Sequence, residues 1–290
     1  SGGRLKLDVL AAGAVVPAFQ MADAVHSGVL DAGHGVCAYW YGKHKAYSLF
    51  GTPPSWGWDA HGFLGWFYYG GGEDLYKELV NNILKLNLTG VLSSPMPTQP
   101  LGWFKQPIER PEQIRGLKYR TVGLAADLFN EMGAAVVSLP GGEIVPALER
   151  GVIDGAEFNN PSSDRVLGFP DVAKTYMIQS YHQKVESFEI LFNKGKYEGL
   201  PEEQRAILRH AAEAASADMS WKLQDRYSRD LLALAQQNAV NVRPTPRPVL
   251  DAQLQAWDRV VKRLEEDGSS PAAGPFFKKV CDSQREWCRR

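Results

Sequence analysis

The chain has 290 residues, 44% of them hydrophobic, and a formal net charge of −1 from 32 Lys and Arg against 33 Asp and Glu. That balance argues against a nucleic-acid surface or a polybasic membrane anchor, and no apolar run reaches the ~18 residues of a membrane span. The length suffices for two lobes, each with its own core. In chain order, "RLKLDVL" reads as a strand, "AFQMADAVHSGVLDAGHG" as a short helix, and residues 32–38 as a second strand. Residues 39–72 are loop-rich, glycine-rich and aromatic. The span Trp40 to Trp103 holds five of the eight tryptophans, which suits a core or the wall of a pocket.

"EDLYKELVNNILKLN" is amphipathic at helical spacing, and "LTGVLSS" is the next strand. Pro111, with Glu112 behind it, starts a short helix. In "RGLKYRTVGLAADLFNEMG", Leu117, Tyr119 and Thr121 alternate with Lys118, Arg120 and Val122, the period of a strand. Leu124, Leu128, Phe129 and Met132 then recur at helical spacing, and Gly133 closes that helix. The same logic repeats in a strand ending at Leu139, a helix over 142–150 and a short strand near Ala156. "KVESFEILFN" is a strand, residues 201–238 a long helix, "AVNVRP" a short strand, and 248–265 and 274–289 two further helices. Alternating βα units predict an α/β fold with mainly parallel strands and helices outside.

Arg120 therefore falls at the carboxyl end of a strand feeding a helix, the edge of an α/β sheet where ligands bind. A guanidinium held there can fork onto a carboxylate; a salt bridge to a nearby Asp or Glu is the bland alternative. Gln99, between prolines, can offer its carbonyl to a cation or its amide to a ligand, or simply be solvated. Glu157 and the Phe158 carbonyl, before a polar turn, can supply oxygens to a hard cation. His182 and Glu186 lack the helical H-E-x-x-H spacing of a zinc enzyme. No nucleophile elbow, P-loop or dinucleotide fingerprint occurs. Cys37 reads as a buried thiol, while Cys281 and Cys288, two helical turns apart, are too distant to bridge within one helix.

"QPLGWFKQPIERPEQIRGLKYRTVG" followed by "GGEIVPALERGVIDGAEF" resembles the periplasmic solute-binding subunit of TRAP transporters, the DctP-type family. Within it the chain is most similar to the branch that binds 2-oxo and 2-hydroxy acids, also labelled mannitol/chloroaromatic-type. The resemblance implies a type II-like periplasmic binding fold whose lobes close on a ligand by a hinge. Residues 1–98 and about 187–245 would form lobe I, and about 99–186 lobe II. Helices in 246–290 would pack across the lobes or in a homodimer. It also implies one more strand and helix ahead of "GGRLKLDVL", without which the first lobe would expose apolar surface, and a signal peptide in the precursor.

The site implied by the resemblance has Arg120 on the carboxylate of a small organic acid. A sodium or calcium ion would be held by Gln99, Glu157, the Phe158 carbonyl and Glu186, with no catalytic cofactor. The branch has Trp where Phe158 stands, a change that a backbone carbonyl survives, and "NNPSSD" departs from the branch pattern. Asn159 or Asn160 would meet the ligand's second polar group, and Tyr39 and Trp40 the opposite wall, unless they only pack. The implied function is periplasmic capture of a 2-oxo or 2-hydroxy monocarboxylate, with room for an aromatic one, and delivery to TRAP membrane permease subunits. A dicarboxylate or sugar acid is the alternative within the family. From another class, a metal-dependent lyase or hydrolase would need a general base, for which His182 is the one candidate.

Overall fold

A computed structural model of the chain describes residues 1–237, 239–270 and 272–290. The first lobe carries α1 (Met21–Ser27), β1 (Ala32–Gly35), α2 (Ala60–Tyr69), α3 (Gly72–Lys77, prolonged by a π-helical turn over Glu78–Ile83) and β2 (Leu88–Met96). The second carries β3 (Gly102–Phe104), β4 (Lys118–Arg120), α4 (Leu124–Glu131), β5 (Ala135–Val137), α5 (Gly141–Glu149), β6 (Gly155–Ala156), α6 (Pro161–Leu167), α7 (Phe169–Val172) and β7 (Thr175–Met177). The chain returns through β8 (Glu186–Asn193) and α8 (Lys194–Glu198). It then runs along α9 (Glu202–Gln237) to β9 (Asn241–Arg243), α10 (Arg247–Glu265) and α11 (Ala273–Cys288).

The fold is α/β with two sheets, but the strands are less parallel than the βα alternation predicts. The first sheet, in the order β1-β8-β2, is antiparallel throughout. The second has the order β5-β4-β6-β3-β7-β9, with β4 parallel to β5 and β6, and β3 antiparallel to β6 and β7. β3 and β8 each run against both of their neighbours. β9 pairs with β7 in the second sheet, so residues 241–243, expected in the first lobe, belong to the second. The reason is α9: its 36 residues span about 54 Å at ~1.5 Å per residue. It packs on β2 of one sheet and on α6 and β9 of the other. The last residue expected in this helix, Asn238, lies outside the described residues.

The stretch 4–10 forms no strand; it pairs with no sheet edge, and Leu7, Val9 and Leu10 are exposed. Within the aromatic region expected as loop lies α2. Its N-terminus is capped by Asp59, whose carboxylate accepts from Gly62 N–H at 2.8 Å. Phe63, Trp66 and Phe67 are buried in the first-lobe core. That burial overrides the weak helix preference of two glycines and five aromatics. The C-terminal helices dock on their own chain: Trp257, Val260 and Leu264 of α10 and Phe276, Phe277 and Val280 of α11 complete the first-lobe core. Val249 of α10 sits in a second-lobe cluster with Tyr119 and Phe129. No helix among the described residues is long and apolar enough to cross a membrane.

Candidate functional site

β4 ends at Arg120, opposite Ala156 of β6 and Val137 of β5. The next residue after β6 is Glu157, whose N–H reaches the Arg120 carbonyl at 3.3 Å. Register alone therefore brings Arg120 and Glu157 side by side. β3 approaches β6 so closely at Gly102 (φ +120°) that a Cβ there would lie 2.3 Å from the Ala156 carbonyl oxygen. Only glycine fits. β3 leads back to Gln99, whose backbone N–H donates to the Gln183 carbonyl at 3.1 Å. β8 begins with Glu186.

These side chains converge in the interior, with Arg120, Gln99, Glu157 and Glu186 all buried. Arg120 Nη1 donates to the Glu157 carbonyl and to Glu157 Oε1, both at 2.9 Å, and Nε donates to the Leu139 carbonyl at 2.9 Å. Nη2 has no partner. The arginine therefore presents one nitrogen, not its full fork, to a ligand. Gln99 Nε2 donates to Glu186 Oε2 at 2.7 Å and to the Phe158 carbonyl at 3.3 Å, and Asn159 Nδ2 donates to Glu186 Oε2 at 2.9 Å. Gln99 Oε1 and Glu157 Oε2 have no partner. The Phe158 ring centroid lies 6.0 Å from the guanidinium carbon of Arg120.

The electrostatics follow from burial. Burial drives Glu186 up to about 8, against the Gln99 hydrogen bond that stabilises its charge. Glu157 is also raised by burial, and the Arg120 guanidinium and the nearby Thr121 hydroxyl pull the other way. Tyr39 reaches in from the first lobe: burial raises its phenol and the Arg120 guanidinium opposes that. A groove of about 330 Å³ opens beside Tyr39, between Phe19 and Gly123. A larger, charged groove runs along Lys45 and α10, away from these residues.

The remaining expected site residues border this cluster, Asn160 through its amide contact with Asn159. Trp40 packs in the first-lobe core, its indole N–H donating to Glu189 Oε2 at 2.7 Å, and it also lines the groove beside Tyr39. Asn160 caps α6, its Oδ1 accepting from Ser162 and Ser163 N–H at 3.0 Å each. Asp164 ties down the loop before it, accepting from Trp103 Nε1 at 2.8 Å and from the Asn159 and Asn160 N–H groups. Burial and the Arg120 charge lower His182 to about 3, and its Nδ1 is held by the Ser180 hydroxyl at 2.5 Å. Sequence reasoning missed Ser48, Thr52, Thr121 and Gln183, which are buried with unpartnered polar atoms. They share no spacing that could have marked them.

Among the described residues no group of three or more His, Cys, Asp and Glu side chains could hold a metal. A hard cation needs only oxygens, and two carboxylates, an amide and a carbonyl meet here. In the structure the Gln99 amide nitrogen faces Glu186 and the Phe158 carbonyl. Turned over about its last torsion, the same amide directs Oε1 to that place, giving three converging oxygens beside the unpartnered Glu157 Oε2. The donor set fits sodium or calcium and not zinc.

Residues 1–267 match the model of the DctP family, described as bacterial extracellular solute-binding protein, family 7. A monocarboxylate 2-oxoacid-binding periplasmic protein of Nostoc sp. is 33% identical over 219 residues, 76% of this chain. The match spans 59% of the Nostoc protein, so the chain covers under two thirds of that relative. A TRAP transporter solute-binding protein of Bordetella bronchiseptica is 27% identical with a TM-score of 0.92, over 99% of this chain and 82% of that one. That protein was solved as a mixed-occupancy dimer with copurified calcium and picolinate in one site and the other site apo. A TRAP solute-binding protein of Pseudoalteromonas atlantica, 29% identical with a TM-score of 0.84 over 93% and 79%, was solved with sodium and pyruvate.

Proposed function

The chain belongs to the DctP family of bacterial extracellular solute-binding proteins, and on that premise we propose that it is the periplasmic receptor of a TRAP-type transporter. It is a binding protein, not an enzyme, and captures a small 2-oxo or 2-hydroxy monocarboxylate with a bound sodium or calcium ion. The observation that carries this reading is that Arg120, Glu157 and Gln99, all buried, each keep a polar atom without a protein partner: Nη2, Oε2 and Oε1. One is cationic and two are oxygen acceptors, which is what a carboxylate and a hard cation together require. Arg120 holds the carboxylate through Nη2, and Asn159 keeps Glu186 in place. Gln99, Glu157, Glu186 and the Phe158 carbonyl hold the cation, which supplies positive charge to the ligand's carboxylate and neighbouring oxygen.

The Nostoc and Pseudoalteromonas relatives favour a monocarboxylate over a dicarboxylate or sugar acid. Docking of the loaded, closed protein on TRAP permease subunits follows from the family role. The apolar face of α11 is buried in its own chain, so a homodimer like that of the Bordetella relative would not need that face.

Thermal unfolding against 2-oxo, 2-hydroxy, aromatic and dicarboxylic acids, each with calcium, with sodium or with neither, tests the reading. A ligand at ~100 times its dissociation constant adds about 2.7 kcal/mol. We expect a monocarboxylate to raise the midpoint only when a cation is present. A folded protein stabilised by none of the acids would overturn the proposal.

A further inference from the structure

Five buried side chains on segments next to Arg120 and Gln99, or tied to them by hydrogen bonds, have polar atoms that the acid-and-cation reading does not use. Ser48 Oγ, Thr52 Oγ1, Thr121 Oγ1, His182 Nε2 and both amide atoms of Gln183 have no hydrogen-bond partner, and each residue is at most 1% exposed. Their neighbours place them together. Thr121 follows Arg120 and its hydroxyl lies by Glu157. His182 feels the Arg120 charge, and Gln183 lends its carbonyl to Gln99 N–H at 3.1 Å. On the first lobe, the segment holding Ser48 and Thr52 is tied to the crossing segment twice. Ser187 N–H donates to the Gly51 carbonyl at 3.0 Å, and the Ser55 hydroxyl to the Tyr181 carbonyl at 3.0 Å. Gly123 backs onto Ser48.

A single orphaned buried polar group is costly, and native interiors pair nearly all of theirs. Six such atoms on segments joined around Arg120 therefore call for a common partner. We infer that the ligand carries a second polar group, remote from the carboxylate that meets Arg120, and that Ser48, Thr52, Thr121, His182 and Gln183 receive it. This rests on the acid-binding reading above and narrows it. Three hydroxyls, a primary amide and an imidazole offer both donors and acceptors. None is a cation: His182 is neutral at physiological pH, and Arg120 is already engaged by Glu157 and Leu139. The second group is therefore neutral, a hydroxyl, carbonyl or amide, and not a second carboxylate. A polar-substituted monocarboxylate fits; a plain alkyl acid leaves these groups unpaired, and a dicarboxylate meets no second positive charge.

The test is calorimetric titration, at saturating calcium, with acids matched in pairs that differ by one hydroxyl: pyruvate with 3-hydroxypyruvate, 2-oxobutanoate with 4-hydroxy-2-oxobutanoate, picolinate with its ring-hydroxylated forms. Sites built to hydrogen-bond a ligand hydroxyl reject the analogue without it. We expect at least one hydroxylated acid to bind tenfold or more tighter than its parent, with malonate and succinate weak. Thr52→Val and Gln183→Met should each shrink that ratio several-fold. Parents binding as well as every hydroxylated partner would overturn the inference and leave ordered water as the occupant. A ratio that both substitutions leave unmoved would overturn it too. If only the parents bind, with cation dependence, the acid-binding reading survives alone; if no acid of either kind binds, both fall.

Discussion

Arg120 and Glu157 are paired by backbone register before their side chains meet: the Glu157 N–H reaches the Arg120 carbonyl while Arg120 Nη1 spans the Glu157 carbonyl and carboxylate, both at 2.9 Å. The carboxylate neutralises a guanidinium that would otherwise be buried alone, and leaves Nη2 for an incoming anion. The residue we propose to grip the solute thus also supports the resting fold.

Arg120→Met should accordingly do two things. It should abolish acid binding, and it should destabilise the unliganded protein by up to about 3–5 kcal/mol, because Glu157 is left buried without its partner and must either stay charged or take up a proton. The double variant Arg120→Met/Glu157→Leu should recover much of that stability while still failing to bind. Urea unfolding and calorimetric titration of both variants separate the roles. Full stability in Arg120→Met would show that the pair contributes nothing structural.

Cation dependence should reside in Glu186, Gln99 and Glu157. With chelator present and sodium replaced by choline, the wild-type affinity for the acid should drop at least tenfold. In Glu186→Gln the affinity should already be low and should no longer respond to added calcium or sodium. Wild-type binding indifferent to both ions would remove the cation from the site and leave Arg120 as its sole charge.

Arg120 was legible in the sequence because strand alternation, Gly123 and a helix of clear spacing put it at a sheet edge. Gln99 and Glu157 stood out only by their proline and glycine settings. By contrast, α2 was hidden: its glycines and aromatics signal loop, and the burial that forms it is tertiary. The antiparallel course of β3 and β8 was hidden too, since βα alternation says nothing of strands that pair with partners distant in the sequence. Ser48, Thr52 and Gln183 are ordinary polar residues until folding buries them without partners.

Stability should fall as pH rises from 5 to 8, and Glu189 should account for a separable part of this. Burial holds its carboxyl at about 7 against an ordinary value of 4.5, while Trp40 and Tyr76 hydrogen-bond it. Between those values the folded state binds more protons than the unfolded one, so the slope is negative, about 1.4 kcal/mol per pH unit. It flattens below about 4 and above about 7. Glu189→Gln keeps an acceptor for the Trp40 N–H and cannot ionise. Its midpoint should therefore lie close to wild type or below it at pH 5 and gain on it by pH 8. Parallel curves for the two proteins across that range would show that Glu189 does not titrate there.

Closure itself should hinge on Gly123. Its φ is +64°, and a Cβ there would lie 2.7 Å from Ser48 Oγ and 2.8 Å from Ala38 Cβ, both on the opposing lobe. Gly123→Ala thus meets two penalties, backbone strain in the left-handed region and a clash that exists only when the lobes are together. The first lowers the stability of every state, and the second raises the energy of the closed one. If the acid is held between lobes as proposed, affinity should fall by more than the unliganded stability does. We expect binding weakened at least tenfold for an unliganded midpoint lowered by only a few degrees. Small-angle scattering should show less compaction on adding acid than in the wild type. Equal losses in binding and in unliganded stability would mean that the strain alone is felt, and that the lobes meet without passing Gly123.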